Sequence, residues 1–139
     1  MNVQVIWKEK MSFTGIGDSG FVLPLGTNEE SGGNNDGFRP LELLLIGLAG
    51  CTGMDVISIL EKKRQQVTGF EVSIHADRAN DHPRVFTKIL MEYCIKGIDV
   101  DPDAVQRAVE LSNTKYCSAQ AMLGQVVPIE VKIKIEKTA

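Results

Sequence analysis

The side chains most able to do chemistry in this 139-residue sequence are its three cysteines, Cys51, Cys94 and Cys117. A thiol becomes a nucleophile only as the thiolate, and oxidation of one thiol is readily trapped by a second nearby. Cys51 sits in Ala49-Gly50-Cys51-Thr52-Gly53, and Cys117 is followed by Ser118-Ala119. Such small neighbours leave room for another sulfur or a substrate. A single cysteine among apolar residues is, however, ordinarily just a small hydrophobe. Periodicity alone does not bring Cys51 and Cys117 together. Cys94 shares its strand face with Lys88, Glu92 and Lys96 and reads as incidental.

Other chemistries find less support. His75 and His82 show no zinc-ligand spacing with the cysteines, so no metal is predicted. Neither histidine is tied to Cys51 as a base. Ser58 and Ser118 lack a G-x-S-x-G setting. Glu42 and Asp55 lie about 20 Å apart along a helix and do not form a carboxylate pair. The run Gly26 to Gly37 has no apolar side chain and reads as a mobile loop. It lacks the Lys-Ser/Thr of a phosphate loop, and its acidic residues would repel phosphate.

These cysteines need elements to hold them. Val3–Trp7 and Gly20–Leu25 read as short strands. Pro40 opens a helix that continues to about Lys63 and is apolar nearly all round, the mark of a buried central element. Gly47, Gly50 and Gly53 recur every third residue beside Cys51, a ridge against which another backbone packs closely. Phe70–Asp77 and Val85–Lys96 flank a turn at Ala79–Pro83 and form a hairpin. Asp101-Pro102-Asp103 starts a second helix, and Ser112 to Leu123 continues as helix around Cys117 up to Gly124. Val127 to Glu136 alternates apolar and charged residues as a half-buried strand. Strands, a buried helix, a hairpin, more helix and a last strand make an α+β fold with antiparallel sheets in one domain, residues 1–139. An all-apolar central helix in so short a chain predicts a homodimer in which two such helices bury each other.

The net charge of -3 and the scattered basic residues exclude a nucleic-acid binder, which needs clustered Lys and Arg. No secretory signal is apparent, and Leu43–Met54 is too short to span a bilayer. Without a disulfide framework, the expected location is the cytoplasm.

The segment from Arg39-Pro40-Leu41-Glu42-Leu43 through Gly50-Cys51-Thr52-Gly53-Met54-Asp55 resembles the central helix of the OsmC/Ohr family. Tyr116-Cys117-Ser118, sixty-six residues after Cys51 at the second cysteine, stands where that family has its other thiol. The resemblance covers nearly the whole chain. It implies an intertwined α+β homodimer, with antiparallel sheets packed around long buried central helices and two sites at the subunit interface. It implies peroxide reduction without metal, flavin or other cofactor. Cys51 would then be the peroxidatic cysteine, Cys117 its disulfide partner, and an external dithiol, of the lipoyl type, the reductant. Family peroxidases carry a glutamate ten residues before the reactive cysteine, where this chain has Leu41 followed by Glu42. Arg39 is the arginine available to steady the thiolate, paired with Glu42, although a helix entrance is also an ordinary place for a surface arginine. Ser118 replaces the proline common after the second cysteine. The alternative is a small-molecule-binding or redox-sensing protein on the same scaffold, without catalysis.

Overall fold

The computed structural model describes residues 1–138. The chain forms two compact units, residues 1–46 and 47–139.

In the first unit, strands β1 (Val3–Glu9), β2 (Ser12–Gly17) and β3 (Val22–Leu25) form an antiparallel sheet in the order β1-β2-β3. β2 is an addition to the sequence reading. Its two glycines and its Ser and Thr give little strand signal, because the propensity scale reflects side-chain packing that glycine lacks. Every residue of β1 is exposed. The glycine-rich segment that reads as mobile follows a defined course. Asn28 caps a 3₁₀ turn over Glu29–Ser31, and the Ser12 hydroxyl donates to Asp36 Oδ2 at 2.7 Å. A side chain at Gly33 would collide with the Thr27 carbonyl, so this glycine fits a close backbone approach. Helix α1 (Pro40–Lys62) begins in this unit and continues into the second.

In the second unit, β4 (Gln66–Arg78) and β5 (Phe86–Ile98) form the expected hairpin, and β6 (Ile129–Lys137) lies beside β5. β6 runs parallel to β5, which corrects the all-antiparallel expectation. Alternation reveals a strand but not its direction. The helices between β5 and β6 are what permit a parallel return, since such a connection needs a dozen or more residues. The inner face of β5 carries Ile89, Met91, Tyr93 and Ile95, all fully buried. Against this core lie buried Leu48, Val56 and Leu60 of α1 and Val105, Ala108 and Val109 of α2 (Pro102–Leu111). Asp101 caps α2 as its sequence predicts, accepting the Asp103 N–H at 3.0 Å.

α1 is not buried on all sides. Within the chain it buries one i, i+4 stripe, Leu48, Thr52, Val56 and Leu60. Gly47 and Gly50 face open space, and Met54 is 74% exposed. At 23 residues α1 is long and apolar enough to cross a membrane by length and composition. Its buried stripe is instead continuous with the core of the second unit.

Candidate active site

Cys51 lies mid-way along α1, one turn before Asp55, so both side chains occupy one face of the helix. Cys117 does not lie within a helix, contrary to the sequence reading. α2 ends at Leu111, and residues Ser112–Tyr116 form a π-helical turn closed by the Cys117 N–H donating to the Ser112 carbonyl at 2.8 Å. Such wide turns recur at functional sites. The turn delivers Cys117 in extended conformation as the N-cap of α3 (Ser118–Leu123). There its Sγ accepts the Gln120 N–H at 3.4 Å.

The two thiols converge. Cys51 Sγ, Cys117 Sγ and an Asp55 carboxylate oxygen lie within 4.8 Å of one another. Both cysteines are free, Cys117 buried and Cys51 partly exposed. Burial pushes the Cys117 thiol up to about 11, with the Gln120 N–H pulling the other way and Cys51 and Asp55 adding further upward pressure. At neutral pH Cys117 is therefore a protonated thiol. Two sulfurs and a carboxylate in this arrangement offer three ligand atoms to a soft divalent ion. The i, i+4 spacing of Cys51 and Asp55 and the long step to Cys117 give no recognised zinc pattern in the sequence.

A line of buried hydroxyls backs the cluster. The Ser112 hydroxyl donates to Asp55 Oδ2 at 2.9 Å, and Thr52 Oγ1 lies 2.7 Å from both Ser112 Oγ and the Tyr93 hydroxyl. Tyr93 in turn donates to Asn113 Oδ1 at 3.2 Å. Burial also raises the Tyr93 phenol, which keeps it neutral. The sequence reading assigns Asp55, Ser112, Thr52 and Tyr93 no part in this site. The available signal is the turn-spaced Cys51-x-x-x-Asp55, and nothing in sequence predicts the partners from β5 and the π-helical turn.

Arg39 and Glu42 belong to the first unit. The Arg39 guanidinium donates to the Gly37 carbonyl at 2.8 Å and to Asn35 Oδ1 at 2.5 Å. Glu42 Oε1 accepts the backbone N–H of Arg39 at 3.2 Å, the back-bond of a helix capping box. Their pairing thus runs through the Arg39 backbone rather than its guanidinium. Cys94 is on the outer face of β5 beside Lys96 and Glu92, as its sequence setting predicts.

Known proteins share both the sequence pattern and the fold. The profile of the family described as OsmC-like protein matches residues 33–132. Protein YhfA of Escherichia coli K12 is 39% identical over 129 residues, covering 93% of each chain. A hypothetical protein from Aquifex aeolicus VF5 superposes with a TM-score of 0.88 at 28% identity, over 99% of this chain and 97% of that one. The organic hydroperoxide resistance protein OhrB of Bacillus subtilis shares the fold, with a TM-score of 0.62 at 15% identity over 96% and 98% of the two chains.

Proposed function

The chain belongs to the OsmC-like family, and from that premise we propose that it reduces hydroperoxides by a two-cysteine mechanism, as part of a stress-related redox role. The observation that carries the reading is the approach of two free thiols within 4.8 Å, one partly exposed and one buried. The Cys51 thiolate attacks the outer oxygen of the hydroperoxide, the O–O bond breaks, and the products are a Cys51 sulfenic acid and an alkoxide that is protonated to the alcohol. The Cys117 thiol then displaces the sulfenic hydroxyl as water, and the Cys51–Cys117 disulfide forms. An external dithiol, of the lipoyl type, returns both thiols and is itself oxidised to a disulfide. The different environments of the two sulfurs support this division of roles, since a thiol held up to about 11 is a poor first attacker at neutral pH. A cavity of about 450 Å³ beside Asp55 is bordered by Met54, Ile59, Leu111 and Tyr116 together with Asp55, Ser58 and Lys62, and its apolar part suits the organic group of a hydroperoxide. No cofactor or metal takes part in this scheme.

The active form in this proposal is a soluble cytoplasmic homodimer. Support comes from apolar surface that the single chain leaves bare: Leu44 and Ile46 at the start of α1, Met54 further along it, and Val3, Val5 and Trp7 on β1. Such surface marks a contact with another molecule.

One observation favours a sensing role instead. Arg39 and Glu42 are engaged in ordering the entrance of α1. Sustained turnover distinguishes the two readings. With cumene hydroperoxide in excess and dihydrolipoamide as reductant, the proposal expects repeated cycles that Cys51→Ser abolishes. Oxidation that stops after a single equivalent and is not renewed by the dithiol would support the sensor.

A further inference from the structure

The two-cysteine scheme uses both sulfurs and leaves Asp55 without a part. A negative charge beside the pair even works against that scheme, because it opposes formation of a neighbouring thiolate. Yet the carboxylate is held in place. The Ser112 hydroxyl donates to Asp55 Oδ2 at 2.9 Å, and fully buried Ser112 is itself anchored 2.7 Å from Thr52 Oγ1. Among the described residues no Lys, Arg or His forms an ion pair with Asp55. A positive ion is the partner that turns this convergence of anionic groups from repulsion into attraction.

The geometry has the features of a metal site. Cys51 and Asp55 are one turn apart on α1, the spacing by which a helix presents two ligands to one ion. The π-helical turn Ser112–Tyr116 brings up the third, Cys117. On a tetrahedral zinc with Zn–S bonds of about 2.3 Å, two sulfurs stand about 3.8 Å apart. Ligand atoms within 4.8 Å of one another therefore close on such an ion by a shift of about 1 Å or less. Outer contacts support the ligands: Ser112 orients the carboxylate, and the Gln120 N–H donates to Cys117 Sγ at 3.4 Å. Cys51 is partly exposed, which gives an ion its entry and leaves a fourth position for water. Two sulfurs and one carboxylate select an ion of the zinc class over calcium or magnesium, which take oxygen ligands.

We infer that Cys51, Asp55 and Cys117 bind one divalent ion of the zinc class in the reduced chain, and that closing the Cys51–Cys117 disulfide expels it. Binding stands on the geometry alone; expulsion by a hydroperoxide rests on the hydroperoxide-reducing reading above. On binding, the two thiols release their protons to solvent and two metal–sulfur bonds form. On oxidation, each thiolate loses one electron, the S–S bond forms, both metal–sulfur bonds break, and the ion departs as Zn²⁺. With a hydroperoxide as oxidant, the O–O bond breaks as it takes up the two electrons, and two protons from solvent complete an alcohol and a water. The ion is no cofactor of turnover. It occupies the reduced pair between oxidations, so that metal and peroxide compete for the same two sulfurs.

The test uses the full-length chain, reduced and freed of metal, and titrates it with Co²⁺ as a spectroscopic substitute for zinc. One Co²⁺ per chain is expected, with thiolate-to-cobalt charge-transfer absorption and the visible bands of four-coordinate geometry, all bleached by one equivalent of Zn²⁺. Cys94→Ser should titrate as wild type does. Cys51→Ser and Cys117→Ser should each lose most of the charge-transfer band, and Asp55→Asn should weaken zinc binding by about 10- to 100-fold. Wild type oxidised with diamide should bind no metal, an arm that needs no variant to fold. Diamide added to the zinc-loaded chain should release one Zn²⁺ per chain to a chromogenic chelator, its N=N bond taking up the two electrons and two protons. A reduced wild-type chain without the charge-transfer band would overturn the inference. So would a band unchanged in Cys117→Ser, zinc binding unchanged in Asp55→Asn, or zinc retained after the disulfide has closed. If diamide releases the zinc and cumene hydroperoxide does not, the hydroperoxide reading fails and the metal site stands.

Discussion

A buried thiol beside a partly exposed one gives the two cysteines different chemistry at the same pH. With Cys117 held up to about 11, alkylating agent at pH 7.5 is expected to label Cys51 well before Cys117, as peptide mapping over a time course would show. Cys117→Ser removes the trap for the oxidised sulfur, so one equivalent of hydroperoxide should leave a Cys51 sulfenic acid that dimedone captures. The raised value also links to stability. Between the ordinary thiol value, near ~8.5, and about 11, the folded chain holds a proton at Cys117 that the unfolded chain has released. Stability from this group is fully present below that window and falls as pH rises through it. Urea unfolding of wild type should therefore weaken from about pH 9 to 11, and the decline should be shallower in Cys117→Ser.

The element that decides the site is the junction between α2 and α3. A regular helix from Ser112 to Leu123 satisfies the sequence, since nothing in Ser-Asn-Thr-Lys-Tyr breaks one, yet Ser112–Tyr116 is a π-helical turn. Ser112 is drawn towards Asp55 and Thr52 by hydrogen bonds that no local propensity encodes. The same distinction runs through the rest of the chain. α1, the β4–β5 hairpin, the Asp101 cap and β6 are legible because each has a local mark: an apolar helical run, a turn, a capping residue, an alternation. The direction of β6, the strand β2 and the thiol–hydroxyl cluster depend on partners distant in sequence and are not. Thr52 illustrates the cost of losing such a partner. Thr52→Val keeps volume but removes a hydroxyl shared by Tyr93 and Ser112, and it should lower unfolding free energy by about 1–3 kcal/mol. Denaturant titration at pH 7 measures the loss. A change within a few tenths of a kcal/mol would mean that the buried line is not under tension in either direction.

At the scale of the whole molecule, the apolar surface of α1 and β1 needs an occupant. Gly50 is exposed and has no heavy atom within 4 Å of the position of a Cβ, so a side chain there starts out into open space in the monomer. Gly50→Leu should leave the monomer's stability nearly unchanged yet weaken association if a second α1 packs across that glycine. Light scattering coupled to size exclusion reads this directly: a wild-type mass near twice 15.2 kDa, falling towards a single chain in the variant. A wild-type chain that runs as a monomer at micromolar concentration would remove the dimer from the account.

The central claim is that Cys51 and Cys117 form one redox pair, and the most direct measurement is the fate of the thiols after one equivalent of cumene hydroperoxide. The account predicts the rapid loss of two thiols per chain, with a Cys51–Cys117 disulfide in the peptide map and Cys94 still reduced. Thiols that survive for many minutes, or a disulfide that instead involves Cys94, would contradict it.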